Sequence, residues 1–155
     1  MTATFVLRRY EETDEAVAIA LWHDTWQQAY PTLDFAARLD WWRERWRRDM
    51  VPVMAIVVAE MSGDLVGFVA LDPATGYLDQ IVVRPDLWGA GLADALLRAA
   101  MELAPDGLEL HVNQDNARAL RFYRKHGFVV VGEETNPRSG APVYRMSWRS
   151  ARRTG

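Results

Sequence analysis

Gln80-Ile-Val-Val-Arg-Pro-Asp-Leu-Trp-Gly-Ala-Gly-Leu-Ala93 packs the end of a strand, a tight loop and the start of a helix into one short stretch. Branched apolar residues through Val83 favour an extended chain, and Pro85 withholds the donor needed to continue it. Gly89 and Gly91 let the backbone turn and leave no Cβ in the way of a ligand. The helix expected from about Gly89 to Leu103 begins with free N–H groups and the positive end of its dipole. A pyrophosphate could therefore sit on the amides of Gly89, Ala90, Gly91, Leu92, Ala93 and Asp94. A dinucleotide fingerprint wants glycine three residues after the second one, where Asp94 stands, and no Gly-Lys-Ser/Thr follows to make a P-loop.

A second constellation lies downstream, Asn113-Gln-Asp-Asn-Ala-Arg-Ala-Leu-Arg-Phe-Tyr-Arg-Lys-His-Gly-Phe128. Asp115 reads as an N-cap and Gly127 as a left-handed C-cap, bracketing a helix to His126. Asn116, Ala119 and Tyr123 are spaced by three and four, so they share one helix face. An amide and a phenol with a small residue between them can receive a narrow chain and still offer it hydrogen bonds.

Together the two segments resemble the GNAT acetyltransferase family. Its pattern is a strand ending in Val-x-Pro, a turn of the form Gln/Arg-x-x-Gly-x-Gly/Ala, and later Asn-x-x-Ala-x-x-x-Tyr-x-x-x-Gly-Phe. Here these are Val83-Arg84-Pro85, then Trp88-Gly89-Ala90-Gly91-Leu92-Ala93, then Asn116, Ala119, Tyr123, Gly127 and Phe128. One departure is plain: Trp88 stands where the family most often has glutamine or arginine, so a side-chain contact to phosphate is lost there.

The resemblance implies acetyl-CoA as co-substrate. Ile81, Val82 and Val83 would pair their backbone with the pantetheine arm as an added strand. Asn116 would contact that arm or an ordered water, and Ala119 would leave room for it. Tyr123 becomes the candidate general acid for the departing thiolate. Asp79 ranks first as the general base, with His111 and Glu109 on the neighbouring strand behind it. Arg118, Arg121, Arg124 and Lys125 could meet the outer phosphates. The reaction expected is direct transfer in a ternary complex to a primary amine of a small molecule or peptide. A CoA-binding sensor without catalysis, which has no use for Tyr123, is the rival reading.

The rest of the chain fits one mixed α/β domain over residues 1–150, followed by a frayed tail at 151–155. Strands are expected at Phe5–Tyr10, Val53–Met61, Leu65–Leu71, Gly76–Val83, Leu108–Asn113, Phe128–Val131 and Val143–Trp148. Helices are expected from Thr13 to about Tyr30, over Phe35 to Trp46, and at the two places already named. The resemblance implies a central, mostly antiparallel sheet of about seven strands with four helices, splayed between the fourth and fifth strands. Ser62-Gly63-Asp64 supplies a hairpin turn.

Composition agrees. The chain has 155 residues, half of them apolar and a quarter charged, with a net charge of -3. That balance argues against a nucleic-acid surface, which needs a basic footprint. No cysteine is present, which excludes disulfides and a thiol nucleophile. Three scattered histidines form no metal-ligand cluster. Neither a signal peptide nor a membrane span is visible, so a cytoplasmic protein is expected, with a homodimer compatible. Seven tryptophans are many for this length. Trp41, Trp42 and Trp46 among four arginines could stack bases or rest on a membrane, but their helical spacing favours the core. Trp26, Tyr30 and Trp41 are candidates for an acceptor pocket, faced by the Asn136–Pro142 loop.

Overall fold

The computed structural model describes residues 4–137 and 139–150, so the expected frayed tail lies outside the described residues. Seven strands form one sheet: β1 (Val6–Arg9), β2 (Ala55–Met61), β3 (Asp64–Asp72), β4 (Tyr77–Val83), β5 (Gly107–Asn113), β6 (Val129–Thr135) and β7 (Pro142–Arg149). Their spatial order is β1-β2-β3-β4-β5-β7-β6. Every neighbouring pair is antiparallel except β4 and β5, which run parallel and meet at a single rung, Tyr77 opposite Glu109. Beyond that rung the two strands diverge, and the edge of β4 facing β5 is left open.

Four α-helices cover the sheet: α1 (Glu15–Ala29), α2 (Leu39–Arg45), α3 (Leu92–Leu103) and α4 (Ala117–Lys125). Strand alternation sorts the core into two layers. Val57, Val69, Leu71, Leu78, Leu108 and Leu110 pack with α3 and α4 on one face. Ile56, Val58, Phe68, Ala70 and Val82 pack with α1 and α2 on the other.

The tryptophans belong mostly to the second layer. Trp22 stacks on Trp42 at 4.4 Å, and Trp46 meets Phe68 edge-on at 5.3 Å. Trp42 and Trp46 are buried, and the Trp46 indole donates to the Tyr10 hydroxyl. Trp41 stays exposed. Core packing is thus the role of Trp42 and Trp46, as their spacing implied.

Several boundaries differ from the expectation, each for a local reason. A short 3-10 turn, Glu12–Asp14, precedes α1, so Thr13 lies inside a turn and caps nothing. Asp14 folds back instead to accept from the Glu11 amide and from both terminal nitrogens of Arg8. At its C-terminal end α2 widens into a π-helical turn over Trp46–Met50. The helix cap on α4 is Asn116, whose side chain accepts from the Ala119 amide, and not Asp115. Gly127, at φ +91°, takes the left-handed position expected of it.

The Asp14 pair carries a pH signature. Hydrogen bonds from Arg8, opposed by burial, hold the Asp14 carboxyl below its ordinary range. Its contribution is then complete above the unfolded value, near pH 4 for aspartate, and is lost as pH falls through the lower folded value. Thermal unfolding of the Asp14→Asn variant followed against pH checks this: the gap to wild type should narrow steadily below about pH 4.

Candidate active site

Gly89 and Gly91 sit at φ +86° and +89°, a region a side chain resists, and a Cβ at either would meet nothing within 4 Å. The space above them is open. Helix α3 starts at Leu92, after both glycines, and no side chain caps it. The first-turn N–H groups from Leu92 to Asp94 thus face that space uncapped, which suits a phosphate. Asp94 does not oppose this, because its carboxylate turns to His126 and Lys125. Burial would raise that carboxyl, but hydrogen bonds from His126 and Lys125 outweigh it and hold it below the ordinary range.

Trp88 has an unforeseen task. Its indole donates to the Val83 carbonyl at 2.8 Å, and the Arg118 guanidinium lies over its ring at 3.8 Å. The indole therefore ties the glycine loop to the end of β4 and seats a cation beside it. Among the described residues Arg118 has no carboxylate partner.

Tyr123 is buried against Phe122 and Phe128, in the core layer that β4, β5 and α3 share. Its hydroxyl has no hydrogen-bond partner among the described residues. Burial, with a further push from Tyr77, raises its phenol well above the ordinary tyrosine range, so the group stays protonated at neutral pH. Asn116 and Ala119 lie two turns and one turn before it. The carbonyl of the Asn116 amide is committed to its cap, so only its NH₂ remains to meet a ligand.

On the opposite face the strand β4 carries a bulge at Asp79, the residue left over between Leu78 opposite Leu71 and Gln80 opposite Ala70. The bulge breaks the alternation that would put Tyr77, Asp79 and Ile81 on one face. Tyr77 faces α2, whereas Ile81 packs into the layer of α3. Asp79, the candidate base, has both carboxylate oxygens taken by Arg45, at 2.6 and 3.0 Å. Tyr77 binds His111 Nδ1 at 2.8 Å, and His111 Nε2 meets Glu134 at 3.2 Å. Burial first, then the Asp79 charge, push the Tyr77 phenol up to about 12.

The mouth of this face is framed by Tyr30, which accepts from Asn113 at 3.0 Å and donates to Asp115. Trp26 stacks on Tyr30 at 5.8 Å. Trp26 and Tyr30 thus lie together on this face, while Trp41 packs beside Trp42. Sequence reasoning missed Arg45, Tyr77, Asn113, Glu134 and Arg145. Only Tyr77 and Asn113 gave a signal, since each lies within a named strand two residues from a residue already singled out.

A model of the acetyltransferase (GNAT) family matches residues 16–128 of this chain. The peptidyl-lysine N-acetyltransferase YjaB of Salmonella typhimurium is 34% identical over 136 residues, covering 86% of this chain and 88% of its own. An aminoglycoside N(6')-acetyltransferase of Klebsiella pneumoniae is 30% identical over 68% of this chain and 60% of its own. Among solved structures, PaiA N-acetyltransferase of Thermoplasma acidophilum, in complex with coenzyme A, superposes with a TM-score of 0.73 at 17% identity over 94% of this chain and 99% of its own. The splayed sheet, the open glycine turn and the buried tyrosine fit the group that this family uses, acetyl-CoA. The chain belongs to the GNAT family and is an N-acetyltransferase.

Proposed function

We propose that this enzyme transfers acetyl from acetyl-CoA to a primary amine of a lysine-like side chain or a small cationic molecule, by direct attack in a ternary complex. The observation that carries the reading is the parting of β4 from β5 beyond one rung, with an uncapped glycine turn at its end and Tyr123, whose hydroxyl has no partner among the described residues, buried in the adjoining core layer. When bound there, acetyl-CoA supplies a thioester whose carbonyl carbon the acceptor nitrogen attacks as the C–S bond breaks.

The chain's own residues do the remainder. Amides of Gly89, Gly91, Leu92, Ala93 and Asp94 hold the diphosphate, aided by the dipole of α3, while the Ala90 amide is given to the Leu87 carbonyl. Backbone groups of Ile81 and Val83 hold the pantetheine arm, with Val82 turned to β3 and the core. Asn116 and Ala119 flank the arm, and Tyr123 gives its proton to the leaving sulfur. Asp79 fixes Arg45 and loads the acceptor face with a held ion pair. With both oxygens given to Arg45, the Asp79 carboxylate presents neither to an incoming amine.

The acceptor class follows from the relatives, which act on a peptidyl lysine and on an aminoglycoside, both cationic amines. Carboxylates at the mouth, Asp115 and Glu134, suit such a partner. Calorimetry with CoA, followed by thiol release with acetyl-CoA and a panel of lysine peptides and aminoglycosides, tests the reading. Absence of CoA binding would end it.

A single-residue test bears on the cradle. Gly91→Ala adds a methyl that meets no protein atom but projects into the phosphate seat, at a backbone cost of about 1–2 kcal/mol. CoA affinity should fall at least about tenfold by calorimetry, one methyl in a tight seat being worth roughly that. Binding of S-acetylpantetheine, which lacks the diphosphate, should be spared.

A further inference from the structure

The acceptor amine arrives mostly as an ammonium, and the reaction needs its lone pair. Asp79 is held by Arg45, so the proton must go elsewhere. The geometry points to a relay through Tyr77, His111 and Glu134, which strips the ammonium proton and delivers it towards solvent. This inference rests on the acetyltransfer reading above and names the residues that complete it.

The order of the three groups fixes their roles. Glu134 meets His111 Nε2 at 3.2 Å, and a carboxylate at that nitrogen favours the tautomer with its proton there. Nδ1 then carries a lone pair, and the Tyr77 hydroxyl 2.8 Å away donates to it. The phenol oxygen keeps its own lone pairs for a ligand beside the β4–β5 rung. The proton moves in two linked transfers. The acceptor's N–H passes to the Tyr77 oxygen as the Tyr77 O–H proton passes to His111 Nδ1. Tyr77 ends neutral, His111 ends as imidazolium against Glu134, and the acceptor is left as a neutral amine. His111 is partly open to water, so the imidazolium can discharge there.

Surrounding charges support the arrangement. Glu134 sets its second oxygen 3.0 Å from Arg145 Nε, an ion pair without hydrogen-bond alignment. Arg145 is the residue directly opposite His111 across β5 and β7, and it also reaches Glu109 at 3.4 Å. The imidazole is thus faced by Tyr77 from β4, Glu109 on its own strand, Arg145 from β7 and Glu134 from β6, with the Arg45–Asp79 pair beyond Tyr77. High affinity of the Tyr77 phenol for its proton makes it a conduit, since no phenolate need persist.

The test has two independent readouts. First, nitrogen NMR of the histidines, with His111 assigned through the His111→Gln variant, should find Nε2 protonated and Nδ1 bare, and Tyr77→Phe should shift the Nδ1 signal. A proton resident on Nδ1 would overturn the relay. Second, turnover of a blocked lysine peptide should fall about 10²–10³-fold at pH 7 in His111→Gln and Tyr77→Phe. The variants should then gain about tenfold per pH unit, because only acceptor already neutral reacts, while wild type levels off. His23→Gln, the same change at a ring that meets Asp24 and none of the three relay groups, should leave turnover unaltered. Variants that keep the wild-type rate and profile would reduce the trio to a latch across the sheet. If wild type itself bound no CoA and released no thiol, the acetyltransfer reading would fail, and the tautomer would still judge the hydrogen-bond order.

Discussion

Tyr123→Phe is expected to lower kcat by about 10²–10³-fold, the range typical of a lost general acid, while CoA affinity stays within about threefold. Steady-state thiol release and calorimetry measure the two. The substitution is unusually clean here. The Tyr123 hydroxyl has no partner among the described residues, so its removal orphans no donor or acceptor in the fold. The ring keeps its contacts with Phe122 and Phe128. What disappears is one proton, held firmly by burial and released when a stronger base forms beside it. A variant with undiminished kcat would mean that the leaving sulfur takes its proton from water, and that Tyr123 serves only to fill space.

Arg45→Ala is expected to cost about 3–5 kcal/mol of stability, the usual result of leaving one buried charge without its partner. The Asp79 side chain is 8% exposed and Arg45 18%, and the guanidinium grips both carboxylate oxygens. Replacing both partners, as Arg45→Met with Asp79→Leu, should recover most of the loss, since an apolar pair of similar volume carries no unpaid desolvation. Denaturant unfolding of the three variants measures this. Asp79→Asn adds a kinetic arm: as a positioning residue it should cost less than about tenfold in kcat/KM, whereas deletion of a general base costs 10²–10⁴-fold. A loss in that larger range would return Asp79 to the role that sequence reasoning gave it.

Local patterns in the chain revealed the architecture well. Alternation marked β1 and β5, continuous apolar runs marked β2 and β3, and the helical spacing of Trp42 and Trp46 marked them as core. Glycines at 89, 91 and 127 announced the backbone turns that they in fact occupy. The family resemblance carried the splay between β4 and β5, which no local pattern encodes. The acceptor face was far less legible. Arg45 and Asp79 lie 34 residues apart, and Tyr77 and His111 the same distance, so only the folded sheet brings each pair together. The bulge at Asp79 was hidden because a register shift depends on the partner strand, and it alone moved Ile81 away from Tyr77. Asn116 and Asp115 are equally good caps by chemistry, and only the chain's entry angle chose between them.

The single rung between β4 and β5 has one more consequence. Unpaired strand edges recruit foreign strands and so invite aggregation, and here the sheet keeps two of them in its interior. They face each other across a wedge that narrows towards Tyr77, floored by α3 and α4. The opening beyond the rung offers those backbone groups to the amide arm proposed above. The fold thereby keeps unpaired backbone in the middle of the sheet, flanked by paired strands, and not at its outer margins.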